Sequence, residues 1–193
     1  MIRSGDFLDR IVTKLSGLDK DTWGEITILL PGRRAGRKLQ EALIQEAGPG
    51  KWLPHISTLG EWSAEQLGLT VPNKMELLVE LQHVAEGMRL HHTLPEWGSF
   101  DRFQPWGMAA LADFNAVDHH LLEARQVFRD LRNIKDIEAW SFGRPDLTAG
   151  QQAFLAQWNT LHPLHTAFHA HLEDHGSCTS GMLARKMATE EGA

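Results

Sequence analysis

The chain has 193 residues, 42% of them hydrophobic, with a formal net charge of −6 and a single cysteine. That length and apolar content suffice to bury a core and exclude extended disorder, and the acidic balance excludes capture of nucleic acid by overall charge. Any phosphate contact has to come from a local basic patch, and the lone Cys178 excludes both an internal disulfide framework and a cysteine-rich zinc site, fitting a reducing cytoplasm.

At the N-terminus Asp6, Asp9 and Arg10 interrupt any apolar run, so no signal peptide is expected. No stretch approaches the ~20 apolar residues of a membrane span, so no membrane partner is expected either. Phe7, Leu8, Ile11, Val12 and Leu15 recur at helical spacing and predict a first amphipathic helix ending near Gly17. Glu25 to Pro31 then carries Ile26, Ile28, Leu29 and Leu30 between Trp23-Gly24 and Pro31-Gly32. A short continuous apolar run between breakers predicts a strand buried on both faces, and so a parallel sheet. From Ala35 the period changes, with Ala35, Leu39, Ala42 and Leu43 on one side of a helix whose start carries Arg33, Arg34, Arg37 and Lys38. A strand feeding a basic helix N-terminus is half of a βαβ unit and a common way to meet phosphate.

Gly48-Pro49-Gly50 breaks the chain, and Pro54 to Leu59 is short and β-compatible, predicting a second strand over residues 55–59. Beyond it the pattern is helical. Met75, Leu78, Leu81, Val84, Ala85 and Met88 form one apolar face after a Pro72-Asn73 cap region. Met108, Leu111, Phe114, Val117 and Leu121, followed by Ala124, Val127, Phe128 and Leu131, fit either two helices or one bent helix. Phe154, Leu155, Trp158 and Leu161 precede Pro163, and Leu164, Phe168 and Leu172 follow it in the same style.

Four constellations carry possible chemistry. GRRAGRKL invites comparison with a phosphate-binding P-loop, but that motif needs GxxxxGK followed by Ser or Thr to bind magnesium. Here Gly36 comes one residue early, Arg37 separates it from Lys38, and Leu39 follows, so ATP hydrolysis is not expected. Arg33, Arg34, Arg37 and Lys38 remain candidates for DNA-backbone or other phosphate contact; the rival reading is a solvated basic helix start, which the helix dipole disfavours. Arg125, Arg129 and Arg132 would form a basic stripe on a helix, with Asp118, Glu123, Asp130 and Asp136 near enough to neutralise it.

Five histidines, His162, His165, His169, His171 and His175, fall within one predicted helix. The pairs His165/His169 and His171/His175 share a face at the spacing that can hold zinc. Thr166 and Leu172 occupy the positions where a catalytic HExxH needs Glu, and no obvious cysteine or carboxylate completes a set, so neither metal nor cofactor is expected. Asp113, Asp118 and Glu123 suggest a magnesium site, but a five-residue step turns a helix by about 140° and separates Asp113 from Asp118. Pro145-Asp146 mimics half of a PD-(D/E)XK nuclease site, and no Asp/Glu-x-Lys follows it.

EITILLPGRRAGRKLQEAL, WLPHISTLGEW, FDRFQPWGMAALADFNAVDHHLLEARQVFRDLRNIKDIE and GMLARKMA together resemble the N-terminal part of bacterial AddB-like PD-(D/E)XK nuclease family proteins, over nearly the whole chain. Phe103, Pro105-Trp106-Gly107, Leu111, Asp113-Phe114, Val117-Asp118 and Phe128-Arg129 match the family pattern in order. Pro31-Gly32-Arg33-Arg34-Ala35 stands where Pro-Asn-Arg-Arg-Ala or Pro-Ser-Arg-Arg-Ala is usual; Ala109, Ala110 and Ala184 depart from the polar, bulky or aromatic residues common at their positions. The resemblance implies an α/β, helicase-like (P-loop NTPase-like) parallel sheet with degraded ATPase motifs over residues 1–70. A predominantly helical insertion over 71–193 would complete it. It further implies a non-catalytic DNA-binding or scaffold segment of a longer exonuclease subunit acting in double-strand break repair, whose nuclease lies downstream. The expected partners are DNA backbone and a helicase subunit or the downstream nuclease domain; the alternative is a protein–protein module without DNA contact, docking through exposed tryptophans and helices.

Overall fold

The computed structural model describes residues 4–90, 95–130 and 148–190. They form a helix-rich α/β protein divided into two compact units, residues 1–67 and 68–193. The first unit runs α1 (Ser4–Ser16), a 3-10 turn (Lys20–Glu25), β1 (Thr27–Leu30), α2 (Arg33–Ala47), β2 (His55–Thr58) and α3 (Leu59–Gln66). The second contains α4 (Lys74–Gly87), α5 (Phe100–His119), α6 (Ala124–Asp130), α7 (Ala149–Asp174) and α8 (Ser180–Glu190). Among the described residues no helix is long and apolar enough to cross a membrane.

In the first unit β1 and β2 pair in parallel, in register from Thr27 with His55 to Leu30 with Thr58. The crossover that parallel pairing demands is α2, so β1–α2–β2 is a complete βαβ unit. The core lies on one side of the sheet, where Leu30 meets Leu39 and Leu43 of α2, Leu8 and Leu15 of α1, and Trp23. Trp23 is fully buried and donates its indole N–H to the Leu15 carbonyl (3.2 Å), which satisfies its one polar atom. The expectation of a strand buried on both faces fails. β1 alternates instead, with Leu30 buried and Leu29 41% exposed, because α1 and α2 cover only the face that carries Ile28 and Leu30.

In the second unit the apolar stripes predicted from spacing are buried in part, and Leu121 and Phe154, placed on them by the spacing, are solvent-exposed. Leu78, Leu81, Val84 and Ala85 of α4 are buried, as are Phe103, Leu111, Phe114 and Val117 of α5 and Leu164, Phe168 and Leu172 of α7. Met75 is the exception on α4 and lies half exposed at the first turn. Capping boxes start three helices: Thr58 with Glu61 on α3, Asn73 with Glu76 on α4, and Thr148 with Gln151 on α7. The stretch after Pro105 forms two helices: α5 ends at His119, and Leu121, at φ 55°, turns the chain into α6. Pro163, by contrast, is accommodated inside an unbroken α7.

Two glycines permit close helix approach. At Gly107 a Cβ would fall 2.7 Å from Leu78 of α4 and 2.6 Å from the Phe103 ring. At Gly181 it would fall 2.3 Å from the Asn115 carbonyl oxygen, a backbone atom that cannot swing aside. Asn115 also accepts hydrogen bonds from the Ser180 hydroxyl (2.9 Å) and the Gly181 N–H (2.6 Å), so it caps α8 while holding it against α5. Gly181→Ala is predicted to destabilise the protein by about 1–3 kcal/mol through overpacking. Gly98→Ala, with nothing within 4 Å of the new Cβ, should leave stability near wild type. Equal urea midpoints for the two variants would refute the close approach.

Candidate functional site

Each unit presents one concentration of polar side chains. In the first it lies at the C-terminal ends of β1 and β2, where both strands feed helices. In doubly wound sheets this edge is where ligands bind. A shallow crevice there is lined by Gly32, Arg33, Gly36, Arg37, Ile56, Ser57 and Glu61, among others. Gly32 occupies the N-cap position of α2 and supplies no side chain to satisfy the free N–H groups of its first turn, which also contains no acidic residue.

Arg33, Arg34, Arg37 and Lys38 all lie exposed on α2. At 100° per residue they span an arc of about 140°, one continuous basic stripe. The structure nevertheless divides them. Arg33 donates through Nε to Glu61, whose carboxylate also receives the Thr58 N–H (3.1 Å) and hydroxyl (2.8 Å) in the capping box of α3. Bonds from the Thr58 hydroxyl, the Thr58 N–H and Arg33 lower the Glu61 pKa. Arg33 is therefore already neutralised. Arg34, Arg37 and Lys38 form no ion pair among the described residues and carry the surplus charge.

The second concentration was not legible as a unit in the sequence. Asp118, in the last turn of α5, is 1% exposed and faces His165 and His169 of α7 and Arg185 of α8. Arg185 Nε donates to Asp118 Oδ1 (3.2 Å), and its Nη2 donates to the carbonyls of Val117 (3.1 Å) and Leu122. One guanidinium thus neutralises the carboxylate and caps the C-terminal end of α5, where the helix dipole favours a cation. His169 Nε2 lies 2.9 Å from Asp118 Oδ2, and His165 Nε2 lies 3.7 Å from Oδ1. Short as the first of these is, Asp118 Oδ2, His165 Nε2 and His169 Nε2 are all buried with no hydrogen bond of acceptable direction. Proximity, rather than a directed N–H···O bond, relates the rings to the carboxylate.

Burial would raise the Asp118 pKa, but the His165 and His169 rings outweigh it and hold the carboxyl well below its ordinary 3.8. Burial pushes His165 down from 6.5, against the upward pull of Asp118. The expected separation of Asp113 from Asp118 holds, since Asp113 points to solvent while Asp118 is buried. The expectation that no carboxylate joins the histidines fails for His165/His169: Asp118 does so from another helix. The His171 and His175 rings stay side by side, centroids 4.4 Å apart, but each is engaged elsewhere. His171 Nε2 meets Glu80 Oε2 of α4 at 2.7 Å, and His175 Nδ1 lies 2.7 Å from the His171 carbonyl oxygen. The proposed basic stripe contributes only Arg125, exposed at the rim of the cleft beside Asp118. The Arg129 side chain, Arg132, Asp136 and the Pro145-Asp146 pair lie outside the described residues.

Asp118 does carry a signal in the sequence. It follows Phe114 by four residues and Leu111 by seven, which puts a carboxylate on the buried arc of α5. Such a group needs a buried partner. Arg185 has no comparable signal, because only the packing of α8 on α5 brings it within reach. No family model matches the chain, and no curated protein or solved structure matches it either.

The pKa shifts set the acid stability of the metal-free protein. The folded Asp118 carboxyl titrates below its unfolded value, so its stabilisation is fully present above pH 3.8 and is lost as pH falls further. His165, also lowered, costs stability as pH falls below 6.5, where the unfolded ring takes up a proton that the folded one resists. Unfolding free energy is predicted to decline in two stages on acidification. Asp118→Asn, which leaves Arg185 without its counter-charge, should cost about 3 kcal/mol at neutral pH and abolish the second stage. Parallel stability curves for variant and wild type below about pH 4 would contradict this assignment.

Proposed function

We propose that this chain is an N-terminal, non-catalytic, helicase-like segment of an AddB-like PD-(D/E)XK exonuclease subunit, and that it holds DNA by its backbone through the first turns of α2. The observation that carries the proposal is the start of that helix: Arg34, Arg37 and Lys38 exposed and unpaired, beside an uncapped turn at the C-terminal edge of a parallel βαβ unit. Three like charges at the positive end of a helix dipole repel one another and the dipole; a phosphate oxyanion relieves both.

Chemically the edge suits binding and not turnover. The loop lacks the Lys-Ser/Thr step that holds nucleotide phosphate and magnesium, and Glu61 is committed to Thr58 and Arg33. With the chain acidic overall, binding should be weak, independent of base sequence and sensitive to salt. The helical unit is proposed as the insertion of the same helicase-like domain. The downstream nuclease domain or a helicase subunit is its proposed neighbour.

A second reading is supported by exposed apolar side chains in the first unit. Leu29, Ile44 and Leu59 are solvent-exposed, and Trp52 is 82% exposed. Such side chains suit docking on a partner subunit without DNA contact. Trp52 is the one strongly exposed tryptophan among the described residues, since Trp23 and Trp97 are buried and Trp62, Trp106 and Trp158 are partly covered.

Fluorescence anisotropy with a labelled duplex of random sequence separates the readings. Three phosphate contacts predict roughly a 40-fold loss of affinity between 50 and 200 mM salt, at a slope of about −0.9 per contact. Charge reversal of Arg34, Arg37 and Lys38 together should abolish binding, while Arg33→Ala should weaken it little. Unchanged binding by the triple variant removes the phosphate role and leaves the docking reading.

A further inference from the structure

The donor set buried in the helical unit is independent of the basic edge of α2. Asp118 Oδ2, His165 Nε2 and His169 Nε2 converge from two helices, and one donor atom from each of these residues lies within 4.8 Å of the other two. Asp118 and His165 are at least nine-tenths buried, and all three atoms lack a hydrogen-bond partner of acceptable geometry. Buried polar atoms are ordinarily satisfied, and three that share one point in space are satisfied together by a single cation.

We propose that Asp118, His165 and His169 bind one divalent transition-metal ion of the zinc class, with a further coordination position open to the adjoining cleft. Bonds of about 2.0–2.1 Å at tetrahedral angles place neighbouring donors ~3.3 Å apart. His169 Nε2 approaches Asp118 Oδ2 to 2.9 Å, close to that separation, and His165 Nε2 lies 3.7 Å from the other oxygen of the same carboxylate, Oδ1. Two imidazoles and a carboxylate suit zinc, cobalt, nickel or ferrous iron rather than magnesium or calcium, which prefer all-oxygen shells.

The surroundings fit this role. His165 and His169 are one turn apart on α7, so a single rigid helix sets their spacing. Arg185 holds Asp118 through Oδ1, leaving Oδ2 to the ion and fixing the plane of the carboxylate, as outer-shell partners of metal ligands do. Its positive charge opposes the cation, and Glu123, which lines the same cleft, offsets it. The cleft gives solvent and metal a route to the site. His162, on the same helix, also lines it.

The test uses the full chain without an affinity tag, titrated with cobalt(II) as an optical probe and then competed with zinc. The expected result is one equivalent of cobalt per chain with intense visible absorption typical of tetrahedral coordination, displaced by one equivalent of zinc. Zinc-edge X-ray absorption on the wild-type protein should show a four-coordinate nitrogen and oxygen shell containing two imidazoles. That measurement needs no variant to fold. His165→Ala and His169→Ala should each reduce affinity at least tenfold. The double variant His83→Ala/His175→Ala, which removes the neighbouring exposed histidines near His171, should bind like wild type. The proposal is overturned by the absence of stoichiometric binding, by a shell of oxygens or of three or more imidazoles, or by binding that follows His83 and His175 instead.

Discussion

The helical unit depends on one buried negative charge. Asp118 sits at the end of α5 in a setting where an unpaired carboxylate would be expelled or protonated, so the helices around it have to supply counter-charge. Arg185 supplies it from α8, and the His165 and His169 rings of α7 face the same carboxylate. The pairing also fixes register. Asn115 meets Gly181 and, about one turn further along both helices, Asp118 meets Arg185, so the α5–α8 contact is pinned at two levels by polar groups that tolerate no slip. Apolar packing, to which the buried Phe114, Leu164, Phe168 and Leu183 belong, would accept neighbouring registers more readily. A buried ion pair is a poor source of net stability and a good source of specificity, and here it specifies where three helices meet.

The first unit is governed by a different constraint, that of parallel pairing. Two strands running the same way need a crossover helix, and a crossover brings helix N-termini to the edge where the strands end. β1 leads into α2 through Gly32, and β2 leads into α3 through Thr58. One of these starts is closed by its own capping box and by Arg33; the other is left open and lined with cations. This asymmetry, more than the number of basic residues, marks the start of α2 as a place for an anion. Any loss of Glu61 would free Arg33 and enlarge the basic edge.

Local signals were the legible ones. Ile26 to Leu30 between Gly24 and Gly32 located β1, and the spacing of Leu78, Leu81, Val84 and Ala85 located the buried face of α4, because strand and helix periods are written in adjacent residues. The exposure of Leu29 was not legible, since an apolar run looks the same whether one or two layers cover the sheet. The histidine pair His165/His169 was visible as a one-turn repeat on a helix. Its third member was not, because Asp118 reaches it only through the packing of α5 on α7, and angles along α5 alone speak only to carboxylates on that helix. Val117-Asp118 and GMLARKMA contain the two partners of the Asp118–Arg185 pair. Sequence supplied the residues, and tertiary contact supplied the reason that they stand together.

If α2 holds DNA while the Asp118 cluster organises the helical unit, the two regions must respond differently to DNA. Amide hydrogen exchange, followed by mass spectrometry with and without duplex DNA at low salt, reports on both in one experiment. The account predicts slowed exchange over residues 32–40, with the amides around Asp118 and Arg185 unchanged. Protection that falls on the helical unit and spares the start of α2, or no protection at DNA concentrations that saturate binding, would contradict it.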